Sequence, residues 1–118
     1  MADSISKAIS AHGTWKRRLA DAIASGRSEF SVAAVRVDNQ CEFGCWLHGL
    51  PAAEQRKPEC VRVRDLQAKF HHEAANTLAL ALAGKKSDAE RSMTLGGPFA
   101  VASSALTMAM MDWRQKAL

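Results

Sequence analysis

The chain has 118 residues, of which 47% are hydrophobic and 24% charged, with a net charge of +4; this fits one domain, 1–118, large enough to bury a core without disulfide staples. The basic residues are scattered, as Lys16-Arg17-Arg18, Arg56-Lys57, Arg62, Arg64, Lys85-Lys86 and Arg114, and are interleaved with Asp65, Glu73, Asp88 and Glu90. That pattern reads as solvated helix faces and argues against nucleic acid, which calls for a denser basic stripe with exposed aromatics. No apolar run is expected to approach the roughly 18 residues that span a bilayer, and Met1-Ala2-Asp3-Ser4 is not expected to open a signal peptide. A cytoplasmic chain without membrane insertion is therefore expected, in which three cysteines, Cys41, Cys45 and Cys60, suggest metal or redox chemistry before a disulfide.

In chain order, Ile5, Ile9, Trp15, Leu19 and Ile23 recur at helical spacing from Ser4 to Ser25, with Asp3 or Ser4 as N-cap and Gly26 as stop signal. Between Gly26 and Asp38 the cluster Val32, Val35 and Val37 suits a short helical turn or an extended connector equally. Asp38 or Asn39 can cap a short second helix through Cys41, Phe43, Trp46 and Leu47. A polar loop, 52–57, follows, and Pro58 opens a third helix with Val63, Leu66, Phe70, Ala74, Leu78 and Ala81 on one side, closed by Gly84 and Lys85-Lys86. Ser87-Asp88-Ala89-Glu90 has the capping-box pattern for a fourth helix, which Gly96-Gly97-Pro98 should kink or break between Thr94 and Pro98. Phe99, Ala102, Leu106, Met110 and Trp113 then form a seam. The predicted fold is all-α, a four-helix bundle with a short second helix and a kink near Gly96–Pro98.

His12 lies on the apolar side of the first helix and His71 shares a face with Gln67, Ala74 and Leu78, so both imidazoles are predicted to point inward. A lone buried histidine most often serves only as a hydrogen-bonded core group. Cys41 at a helix start adds a thiolate-favouring position. Two imidazoles and a thiolate from three helices suit tetrahedral zinc, and bundles build metal sites this way. Trp15 and Trp46 are expected to pack beside such a site, His48 and Cys60 to be solvated surface, and Met93, Met108, Met110 and Met111 to be core filler or a partner surface.

His12-Gly13-Thr14-Trp15, Cys41-Glu42-Phe43-Gly44-Cys45-Trp46 and Gln67-Ala68-Lys69-Phe70-His71, with Ser103, Ser104, Leu106, Thr107 and Trp113 further on, resemble the chemoreceptor zinc-binding domain family. Its pattern is His-x-x-Trp, Cys-x-Phe-Gly-x-Trp and His-x-x-x-His. The resemblance implies zinc held by His12, Cys41 and His71, and a cytoplasmic sensory domain, often dimeric, that regulates a chemotaxis or cyclic-di-GMP signalling partner in cis or in trans. The chain departs from the pattern at Gln67, where the family has the first histidine of its pair, and a neutral amide is a weak zinc ligand. Three arrangements stay open for the fourth position: water or another small ligand, with Gln67 beside it; rescue by His72 or Cys45, whose positions in the family usually face outward, which implies solvated surface; or no metal at all.

Two other functions are weighed against the sensor. A metal-free bundle would serve in dimerisation alone. A zinc enzyme would need a general base, yet there is no His-Glu-x-x-His helix, and Glu42 and Glu73 are merely near the proposed ligands. No catalytic residues are therefore expected.

Overall fold

Apolar side chains repeating at three and four positions along 5–23, 63–81 and 99–113 build three long helices that share one core. The computed structural model describes residues 2–37 and 42–117. Every regular element among the described residues is helical: α1 (Ala2–Ser25), α2 (Val32–Arg36), α3 (Glu42–His48), α4 (Ala52–Gln55), α5 (Pro58–Leu82), α6 (Lys86–Met93) and α7 (Pro98–Ala117). Helix α7 packs most extensively on α5, and α1 lies against both. Arg62 and Glu59 near the start of α5 pair with Asp112 at 3.2 Å and Lys116 at 3.1 Å near the end of α7, and Arg114 donates to Ser6 of α1 at 3.3 Å. Helix α7 is thus antiparallel to both α1 and α5. The molecule measures 44 × 25 × 19 Å.

Several predicted boundaries move. Helix α1 begins at Ala2, so Asp3 and Ser4 lie inside its first turn instead of capping it. The unassigned stretch after Gly26 holds α2, capped by Ser31, whose hydroxyl accepts from the Ala34 amide at 3.1 Å. The predicted polar loop after Pro51 contains the single turn α4. The proposed caps Asp38 and Asn39 lie outside the described residues.

The capping box at Ser87 does not form, because α6 starts at Lys86 and has no side-chain cap. Helix α5 ends in a Schellman turn: Gly84 takes φ 77°, its amide donates to Ala81 at 3.3 Å, and that of Lys85 donates to Leu80 at 2.9 Å. The chain re-enters helix at once, which leaves Ser87 no cap position to occupy.

The break before α7 is real, and its anchor is a close backbone approach as much as the proline. A Cβ at Gly97 would overlap the Arg91 carbonyl oxygen and lie 2.5 Å from that of Ser92. The first turn of α7 is secured from a distance: the Phe99 amide donates to the Ser92 hydroxyl at 3.2 Å, Ser92 meets Thr77 at 2.8 Å, and Thr77 donates to the Glu73 carbonyl at 2.8 Å. Each hydroxyl both donates and accepts, so α5, α6 and α7 are joined by a buried relay with no donor wasted.

One sequence expectation is corrected. The segment Lys86–Ala117 is long and apolar enough to cross a membrane by length and composition, and it is uncharged from Ser92 to Met111. Its alanines, serines and threonines hide this from a reading that looks for bulky apolar runs. The break at 94–97 and the burial of one side of α7 against α1 and α5 are what a core helix shows.

Candidate metal centre

The middle of the core is polar. His12 of α1 and Gln67 and His71 of α5 are 4%, 0% and 2% exposed, on turns otherwise lined by Ala8, Phe70 and Ala74. The inward positions of both histidines agree with their helical spacing. Aromatic edges wall them in: Phe70 lies 4.4 Å and Phe43 6.3 Å from the His12 ring centre, and Trp15 lies 6.3 Å from that of His71. Trp46, half-buried, stacks on Phe43 at 5.6 Å and approaches Trp113 at 5.7 Å.

The hydrogen bonds decide the tautomers. A carbonyl oxygen only accepts, so His71 donates its Nδ1 proton to the Val35 backbone carbonyl at 2.8 Å. Metal-binding histidines are commonly oriented by such a bond on the far nitrogen. This partner comes from α2, the element that the sequence left unassigned, and nothing in the sequence signals it. His12 donates its Nε2 proton to the Gln67 amide oxygen at 3.1 Å. Its lone pair is therefore on Nδ1, a buried atom without a hydrogen-bond partner among the described residues.

Burial lowers the His12 pKa from 6.5 to about 4; the bond to Gln67 opposes the shift and the nearby His71 reinforces it. Above about pH 6.5 the ring is neutral in folded and unfolded chains alike. As pH falls toward 4, the unfolded chain takes up a proton that the folded one refuses, so stability drops through that window and levels off below it. The metal-free chain should lose about 2 kcal/mol between about pH 7.5 and 5 from this group alone. Urea unfolding at both values would show it, and a His12→Asn variant should keep at least half of what the wild type loses. Equal losses in the two proteins would mean that another group sets the dependence.

The remaining sequence-singled residues divide. Cys41 lies outside the described residues. His72 is exposed and accepts from Arg36 at 3.0 Å, while Arg36 also donates to Asn76 at 3.2 Å, so His72 ties α2 to α5 on the surface. Cys45 and His48 are exposed, as expected. Cys60 is not solvated surface: it is fully buried at the start of α5, and burial pushes its thiol pKa up. It lies one turn before Val63, so the buried stripe of α5 extends back to it. Among the methionines, Met110 is core and Met108 and Met111 are exposed.

Among the described residues no three His, Cys, Asp or Glu side chains come together as a metal site. The donors that are placed, two buried imidazoles each hydrogen-bonded through one ring nitrogen, suit a borderline-soft ion such as zinc. Searches against protein-family models, curated proteins and solved structures find no match to this chain.

Proposed function

We propose that the chain is a zinc-binding regulatory domain that couples metal occupancy, or oxidation of Cys41, to a signalling partner. The observation that carries this reading is the buried pair His12 and His71, with the His71 ring oriented by the Val35 carbonyl. His12, Cys41 and His71 would hold the ion, and a water or the Gln67 amide would stand at the fourth position. Bound zinc would take a lone pair from each ring and displace the Cys41 thiol proton, so its loss would change what these buried groups require of their neighbours. The scaffold is read as a four-helix bundle made of α1, α3, α5 and the broken α6–α7, in the cytoplasm, with no catalytic role.

A second reading has an observation of its own. The His12–Gln67 hydrogen bond gives one ligand a protein partner without any ion, as a metal-free helical dimerisation module would need. Metal analysis of tag-free protein purified without added zinc separates the two. The sensor reading expects about one zinc per chain and a lower melting temperature after chelation; less than about 0.2 zinc with unchanged melting would overturn it in favour of the module.

A further inference from the structure

Where α4 folds against the start of α5, a surface cleft of about 600 Å³ is lined by Leu50, Ala52, Gln55, Arg56, Val61 and Arg64. Leu50 and Val61 are half-buried and give it an apolar floor; Arg64, also half-buried, and Arg56, exposed, supply its charge. Its frame is fixed, because the Gln55 amide donates to the carbonyls of His48 at 3.0 Å and Leu50 at 2.7 Å and so ties α4 to the end of α3. The carboxylates next to the cleft are engaged elsewhere: Glu54 pairs with Lys57 at 2.8 Å and Glu59 with Lys116 at 3.1 Å. Asp65 is exposed and lies about 100° round α5 from Arg64. Arg17, Arg18, Arg36, Arg62, Arg91 and Arg114 each engage a neighbour. The guanidinium groups of Arg56 and Arg64 have no hydrogen-bond or ion-pair partner among the described residues, a state shared only by Arg27.

We propose that this cleft docks an acidic, partly apolar peptide segment of another protein. Two unpaired guanidinium groups over an apolar floor have as their complement two carboxylates that flank an apolar side chain. Each guanidinium can hold a carboxylate through two parallel N–H···O bonds, and the apolar side chain covers Leu50 and Val61. A phosphate group fits less well. Compact phosphates are held by backbone amides at a helix start, and at the start of α5 the Glu59 amide already donates to the Glu59 carboxylate. Nucleic acid calls for a run of cations along its backbone and aromatic rings for its bases, whereas the cleft is lined by two cations and no ring. Exposed ion pairs contribute little each and are screened by salt, so the contact is transient, on the order of tens of micromolar at low salt. The docking depends on neither zinc nor the buried histidines.

Fluorescence anisotropy with the full chain and a labelled peptide of about nine residues, alternating glutamate and leucine, tests this at about 50 mM salt. Saturable binding is expected, weakened at least about threefold by Arg56→Gln or Arg64→Gln and about tenfold by the two together. Glutamine keeps part of the arginine stem, so both variants should retain the wild-type circular dichroism and melting. Arg27→Gln removes an equally unpaired cation beyond the end of α1, at the other end of the bundle from the start of α5, and should leave binding unchanged. A peptide with serine in place of leucine should bind at least about threefold more weakly. No binding up to about 500 μM protein, equal losses in Arg27→Gln and Arg56→Gln, or indifference to serine would overturn the proposal. So would tighter binding of pyrophosphate or of a short single-stranded oligonucleotide than of the peptide, which would mark a phosphate site.

Discussion

A Gly97→Ala variant should melt at least about 10 °C below the wild type, a loss of about 3 kcal/mol. The added methyl has nowhere to go: it would overlap the Arg91 carbonyl oxygen and lie 2.5 Å from the Ser92 carbonyl oxygen, both of them backbone atoms in the last turns of α6. Relief requires α6 to move from the start of α7, and that movement pulls Ser92 from the Phe99 amide and from Thr77. The loss of the relay adds to the steric cost, since a buried amide left without an acceptor costs about 1–3 kcal/mol. Gly96→Ala is the control. Gly96 has φ 87° and open space around its Cβ position, so it should cost only about 1–2 kcal/mol for the left-handed backbone. Thermal denaturation of the two variants side by side checks this, and a Gly97→Ala melt within about 3 °C of wild type would show that α6 and α7 are not locked at this contact.

The second large effect follows from the proposed zinc site and is on its affinity. Gln67→His should tighten zinc binding by about tenfold or more, measured by competition with a chromophoric chelator. Two changes act together. The substitution supplies an imidazole where the neutral amide is a weak ligand. It also removes the acceptor that now engages His12 Nε2, a bond worth about 1 kcal/mol that an ion bound at that nitrogen would have to displace. Unchanged affinity would mean that some other group already completes the coordination, or that His12 binds through Nδ1 with its bond to Gln67 intact.

The long helices were legible because their buried sides repeat at three and four residues over many turns, as in Ile5 to Ile23 and Phe99 to Trp113. His12 and His71 were legible for the same reason. What failed was local. The box at Ser87 follows a correct rule, but the Schellman turn at Gly84 sets where α6 begins before that box can act. Gly97 looked like a companion of Pro98, since a clash with a carbonyl six residues earlier depends on how two helices fold over each other. Helix α2 is only five residues long, too short for periodicity to declare, and its carbonyl on His71 is visible only in three dimensions. Cys60 is a different case, because its place one turn before Val63 already sets it on the buried stripe of α5.

The bond from His12 to Gln67 has a bearing on how long the chain lasts. Small zinc domains commonly unfold when the ion is withheld, and an unfolded chain is quickly degraded. Here a buried imidazole, which would otherwise want both nitrogens answered, has one of them answered by an amide on a neighbouring helix, within a core built from three long helices. On the proposed zinc-binding reading, newly made chains would reach and keep their shape during metal scarcity and be filled later, so that abundance need not follow the zinc supply.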